Sequence, residues 1–255
     1  MVDSIKATHA KVFVCYIMPN EISGAVTKCE KREKPFFISL CKIADVPFID
    51  FADVLKNTKE VTFLPVDAHL NKQGAIVTAN KISAIIDQNS AFTSEMTYPQ
   101  SSIPALLGDE IPSQDKLVED KKGLPYKLHT NAQGLRMNNF VEFPKRKQHI
   151  LFMGDSEIYF AGMDNSETLG GVLQSKYPDK TIVNTSKWAY SIDDEFSLWN
   201  QKTKYIQPDL VFLQVSGLNV PGLYFSNRLK FHRSYLGWIL TPSPLELQYY
   251  KSNFN

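Results

Sequence analysis

Three residues in this chain are of the types that activate a hydroxyl. Ser156 follows Gly154-Asp155 at the end of an apolar run, and Asp67 and His69 sit together in a polar turn, Asp67-Ala68-His69-Leu70-Asn71. A serine hydroxyl is a weak nucleophile until an imidazole takes its proton. The imidazole in turn needs a carboxylate to fix its tautomer and stabilise its cation. Acyl transfer also requires donors aimed at the developing oxyanion. The backbone N–H groups of Ser156 and Ala189 and the side-chain amide of Asn219 are the candidates, and Gly217 allows close backbone approach beside a substrate. Trp188 is read first as a packing residue and second as a wall of the substrate pocket. The remaining histidines (His9, His129, His149 and His232) are read as structural or solvent-facing.

These residues are useful only if the chain gathers them, and the pattern of apolar runs supplies the means. Runs at Val12–Met18, Val46–Phe51, His149–Met153, Thr181–Asn184 and Leu210–Val215 lack a two-residue alternation, as expected of strands covered on both faces of a parallel sheet. Helices are predicted between them. One covers about 31–44 after Pro35, and another runs from Gln73 to Asp87, where Ala75, Ile76, Ala79, Ile82, Ile85 and Ile86 recur at helical spacing. A third covers Glu167 to Tyr177 with Ser166 as N-cap, and a fourth opens on a Ser191/Asp194 capping box and reaches about Lys204. The region 89–125 carries Pro99, Pro104, Pro112 and Pro125 among polar residues and reads as a connector with little regular structure. The tail, with Pro242 and Pro244, reads as irregular with a short helix at Leu245–Tyr250.

The resulting expectation is an α/β chain folded as a three-layer α/β/α sandwich around a mainly parallel five-stranded sheet. All 255 residues form one domain in this reading: 1–88 is the Asp/His half, 89–125 the connector, and 126–255 the serine and oxyanion half. In open parallel sheets ligands bind beyond the carboxyl ends of the strands, where Ser156, Ala189, Gly217 and Asn219 fall.

Four blocks carry a family resemblance: Gly154-Asp155-Ser156, Asn184 to Ser191, Gly217-Leu218-Asn219 and Asp67-Ala68-His69. Together with the lead-in Asn131-Ala132-Gln133-Gly134-Leu135-Arg136, they resemble the motif blocks of the SGNH (GDSL) hydrolases. The resemblance implies a flavodoxin-like sheet, Ser156 as nucleophile, His69 as base and Asp67 as its partner. It further implies oxyanion donors from Ser156, the block-two position and Asn219. Three departures bear on rate and substrate range. Ala189 replaces the block-two glycine, Val220 replaces the aspartate usual after Asn219, and the acid–base spacing is Asp-x-His in place of Asp-x-x-His. The block order is also inverted, which implies a circular permutation; the alternative is a fragment spanning two domains. The alginate O-acetyltransferase group is similar in placing Asp-x-His ahead of the serine.

Composition narrows the partners. A formal net charge of +1 offers no global field for nucleic acid or an anionic membrane. No run approaches the roughly 18 apolar residues of a membrane span. The three cysteines (Cys15, Cys29, Cys41) have no metal-ligand spacing and are read as reduced thiols. No metal or cofactor is implied. The N-terminus is unlike a secretory signal, so a chain complete as given would be expected in the cytoplasm. The expected function is a serine esterase removing a small acyl group, such as acetyl, from a carbohydrate or similar small-molecule acceptor. The alternatives are a polysaccharide O-acyltransferase with the same triad and a binding module with a decayed site.

Overall fold

The computed structural model describes residues 1–17, 26–64, 69–95, 97–119, 125–188, 190–215, 230–234 and 237–241. In chain order the elements are α1 (Val2–Lys6), β1 (Lys11–Tyr16), α2 (Val26–Ile43), β2 (Phe48–Asp50), α3 (Phe51–Lys56) and α4 (Lys72–Gln88). There follow β3 (Asp115–Glu119), β4 (Pro125–His129), β5 (His149–Met153), α5 (Ser156–Tyr159), α6 (Leu169–Lys176), β6 (Thr181–Asn184), α7 (Ile192–Gln201), β7 (Leu210–Val215), β8 (Lys230–Ser234) and β9 (Gly237–Thr241).

The five apolar runs form one sheet, in the order β2-β1-β7-β5-β6, and every neighbouring pair is parallel. Counted cyclically from β5, this order reads 2-1-3-4-5, the flavodoxin-like arrangement, with the chain beginning at what would be the fourth strand. The chain leaves β5 toward β6 through α6 on one face, then reverses direction through α7 on the other. The reversal puts the topological switch point between β5 and β7.

Both faces of the sheet are covered. Phe13, Cys15, Ile150, Phe152, Leu210 and Phe212 pack under α3, α4 and α6, whereas Val12, Leu151, Met153, Val211 and Leu213 face α1 and α7. Val14, Tyr16 and Val215 on the second face meet Phe37 and Cys41 of α2. The absence of alternation in the strand sequences thus has its cause in burial on both sides. Register places Phe212 opposite both Phe13 and Phe152, and their rings stack at 5.2 and 5.0 Å between centroids.

Several local expectations are corrected. β2 starts at Phe48 and not Val46; it ends on Asp50 as expected, whose side chain accepts from the Ala52 N–H, and Phe51 already opens α3. Thr168, and not Ser166, caps α6 by accepting from the Gly171 N–H. The helix after Ser191 stops at Gln201, although its capping box with Asp194 forms as expected. The region 89–125 is not only a connector. It ends in β3, which pairs antiparallel with β4, and its Leu107 is wholly buried beside Leu135 and Trp199. The pair β8–β9 is a second antiparallel ladder that the sequence reading did not anticipate. The proposed helix at Leu245–Tyr250 lies outside the described residues. Cys15 and Cys41 are buried free thiols, and burial pushes the Cys15 thiol up, so neither is poised to react. No described helix is long and apolar enough to cross a membrane.

Phe212 contacts a ring on each side, so its truncation opens a cavity at the sheet centre. Phe212→Ala should lower unfolding free energy by about 3–5 kcal/mol, read from urea denaturation. A loss below about 1 kcal/mol would mean that the three stacked rings are not the core's centre.

Candidate active site

Ser156 is the first residue of α5, directly beyond β5. Three features shape the turn that presents it. Asp155 caps α5 by accepting from the Glu157 N–H at 2.9 Å, and its own N–H donates to Oε1 of Gln214 at 2.9 Å. Gly154 lies against the same amide: a Cβ there would stand 2.4 Å from Gln214 Oε1, so only glycine lets β7 brace the turn. After one turn the helix ends at Phe160, in the left-handed region with φ 55°.

That strained end is held by Arg136, from the lead-in segment. Its guanidinium donates to the carbonyls of Tyr159 (2.5 Å), Phe160 (3.1 Å) and Met163 (2.5 Å), and its Nε to Asn165 Oδ1 (3.1 Å). It lies over the rings of Tyr126 and Tyr159. A buried cation with no carboxylate partner in these bonds is here neutralised by carbonyl dipoles and ring faces.

His69 arrives from the opposite half of the chain. The segment before α4 folds back on itself: Phe63 and Leu70 form an antiparallel bridge, and the Leu64 N–H donates to the His69 carbonyl at 2.9 Å. Asn71 caps α4 through the Gly74 N–H and donates to the carbonyls of Val61 and Phe63. Gly74 is required here, since a Cβ would meet the Thr62 carbonyl at 2.3 Å. α4 and α6 lie on one face of the sheet, and Lys72 at the start of α4 pairs with Glu167 ahead of α6 at 2.9 Å.

These constraints bring the two side chains together. His69 Nε2 lies 2.8 Å from Ser156 Oγ, across 87 residues of sequence, at the switch-point end of β5. The geometry suits proton transfer from the hydroxyl to the ring. Trp188 stands over the pair, its ring 5.7 Å from that of His69 and inclined by 32°, with 48% of its surface exposed. Trp199, by contrast, is buried packing, and His149 is buried with Nδ1 2.7 Å from the Ile206 carbonyl. Asp67, Ala189, Gly217, Asn219 and Val220 lie outside the described residues. Among the described residues no group of His, Cys, Asp and Glu could hold a metal ion. A groove of about 260 Å³, walled by Arg136, Asn138, Asn165 and Asn184 among others, has neither Ser156 nor His69 in its wall.

Gln214 and Glu195 have no counterpart in the sequence reading. A glutamine inside an apolar strand was the only available signal for the first. Glu195 on α7 is buried, and neither carboxyl oxygen has a hydrogen-bond partner among the described residues. Burial, with the charges of Asp155 and Asp194, holds its carboxyl well above the ordinary range.

No protein-family model and no curated protein sequence matches the chain. Among solved structures, the O-acetyltransferase domain of Pseudomonas putida AlgJ is similar, with a TM-score of 0.52 at 11% identity over 86% of this chain and 79% of that one. The fold is SGNH-like. Bacillus cereus PatB1 with a sulfonyl adduct superposes at a TM-score of 0.45 and 10% identity, over 86% of this chain and 84% of that one.

Glu195 makes a pH test available. The unfolded chain ionises this carboxyl near its ordinary value of about 4.3, and the folded protein only well above that. Through the intervening window the folded state holds a proton that the unfolded state has lost, so this group's contribution to stability falls as pH rises. Glu195→Gln has no such titration. The wild-type melting temperature should therefore fall relative to the variant's as pH is raised from about 4, and parallel curves would contradict the assignment.

Proposed function

We propose that this chain is a serine esterase acting through an acyl-enzyme on a small acyl ester, acetyl among the smallest, of a carbohydrate or similar alcohol. The observation that carries the reading is the 2.8 Å separation of His69 Nε2 and Ser156 Oγ at the switch point of a parallel sheet. His69 takes the hydroxyl proton as Oγ bonds to the ester carbonyl carbon, giving a tetrahedral oxyanion. The backbone N–H of Ser156, with those assigned to Ala189 and the Asn219 amide, would face that oxyanion. Collapse expels the alcohol, which leaves with the proton from His69, and an acyl-serine remains. Water, deprotonated by His69, then releases the acid and restores Ser156. Asp67 is assigned the partner role at the second ring nitrogen, and Gly217 and Trp188 are assigned to the substrate wall.

A second reading replaces water by a sugar hydroxyl in the last step, making the protein an O-acyltransferase. It is favoured by one observation, the likeness in fold to an O-acetyltransferase domain. A fold hosts many functions, so the likeness supports the acyl-serine chemistry only through the site it carries. The inverted order of His69 and Ser156 is on this proposal a circular permutation of the SGNH plan, supported by the cyclic 2-1-3-4-5 strand order.

The test is hydrolysis of p-nitrophenyl acetate by wild type, Ser156→Ala and His69→Ala. Each substitution should lower kcat by roughly a thousandfold or more. A Ser156→Ala protein as active as wild type would remove the proposal. Supplying an acyl donor with an oligosaccharide distinguishes the two readings: acylated sugar as product favours transfer, and free acid alone favours hydrolysis.

A further inference from the structure

The segment Leu107–Glu110 is threaded between the two loops that frame Ser156. On one side the N–H groups of Leu107 and Gly108 donate to the Gln133 carbonyl, and that of Glu110 to the Gly134 carbonyl. The approach is close enough that a Cβ on Gly108 would stand 2.1 Å from the Gly134 oxygen. This is the lead-in segment whose Arg136 holds the end of the nucleophile helix. Leu107 is wholly buried, so the anchorage is apolar as well as hydrogen-bonded.

On the other side the segment grips the loop after β6. The Tyr190 hydroxyl donates to Asp109 Oδ2 at 2.5 Å, and Lys187 Nζ to the Asp109 backbone carbonyl at 2.6 Å. Lys202 pairs with the Asp109 carboxylate and donates to the Gly108 carbonyl at 3.1 Å. Glu110 adds an ion pair with Lys187 at 3.7 Å. The two loop residues gripped, Lys187 and Tyr190, immediately bracket Trp188 and Ala189. Trp188 lies over His69, and Ala189 is the proposed oxyanion donor.

From this arrangement we infer that Asp109 and Glu110 are positioning residues: they hold Lys187 and Tyr190, and with them Trp188, against the nucleophile turn, where the Lys187 N–H donates to the Gly154 carbonyl. The inference rests on the reading of Ser156 as nucleophile. Its physical basis is the difference between rigidity and stability. Ion pairs at partly exposed sites contribute little to unfolding free energy, so the Lys202–Asp109 and Lys187–Glu110 pairs on two adjacent acids are poorly explained as a stabilising device. Placement is another matter, because a displacement of about 1 Å at a reacting centre can cost about a hundredfold in rate. The charge state is consistent. Burial raises the Asp109 carboxyl, but hydrogen bonds from Lys202 and Tyr190 and the Lys202 and Lys187 charges outweigh it and hold the group below its ordinary value.

The experiment compares wild type with Asp109→Ala, Asp109→Asn and Tyr190→Phe. The readouts are fluorophosphonate labelling of Ser156, kcat and KM for p-nitrophenyl acetate, and melting temperature. Asp109→Ala should label about ten- to a hundredfold more slowly, with the loss in kcat and KM little changed. Tyr190→Phe removes one hydroxyl and should lose about three- to tenfold, which keeps the test available should Asp109→Ala fail to fold. Asp109→Asn retains an acceptor and should recover part of the rate. Variants that label and turn over at the wild-type rate overturn the inference, as does a loss confined to melting temperature. Wild type that takes no label overturns the nucleophile reading itself, and the inference with it.

Discussion

The hydrogen-bonded contact between His69 and Ser156 joins two segments that have no reason to meet except through the sheet. Neither residue is positioned by its own neighbours alone. Ser156 depends on the Gly154-Asp155 turn, which depends on an amide from β7. His69 depends on the folded-back strand before α4, and α4 depends on the sheet face it shares with α6. An error of one residue in the register of β5 against β7 would turn Gln214 away from Asp155 and move the hydroxyl with it. The stacked Phe13, Phe212 and Phe152 rings oppose that slip, since each ring is matched to the strand beside it.

This dependence explains why polar atoms are tolerated so deep in the molecule. Gln214 is wholly buried in a strand of otherwise apolar residues, and its Nε2 has no partner among the described residues. A buried amide with one end unsatisfied costs about 1–3 kcal/mol relative to a satisfied one. The other end accepts from the Asp155 N–H just before Ser156, so the cost falls where the geometry of that turn is set. Arg136 is a second case, since burying a guanidinium demands acceptors, and the last residue of α5 with the irregular backbone after it supplies three carbonyls.

The strands and the long helix could be read from the sequence because their signals are local. His149–Met153, Thr181–Asn184 and Leu210–Val215 are bounded by turn residues and buried on both faces, so composition and length suffice. The Ser191/Asp194 box could be read for the same reason. The pairing of Ser156 with His69 needed more, namely that parallel sheets gather residues at their carboxyl ends. What escaped was non-local. Thr168 and Ser166 are equally good caps by type, and the choice between them is made by where α6 must start to bury Leu169 and Leu173. The region 89–125 reads as a connector because its prolines and polar residues signal no regular element, yet Leu107 and the close approach of Gly108 to Gly134 decide its place.

The cyclic strand order gives that middle region its significance. A flavodoxin-like sheet opened between what would be its third and fourth strands starts the chain at β1 and ends the sheet at β7, leaving β2 and β5 to be joined across the molecule. The join must cross from one edge of the sheet, over α4, to the strand next to the other edge, and a floppy tether would serve for connectivity alone. Instead part of the crossing is packed: Leu107 joins the core cluster that holds Leu135 and Trp199, and it, Gly108 and Glu110 bond to carbonyls of the segment leading into β5. A chain that must pass close to the turn carrying Ser156 in any case is a natural source of support for it. The place of His69 ahead of Ser156 in the sequence and the packing of Leu107–Glu110 beside that turn then share a cause, the route the backbone takes to close this sheet.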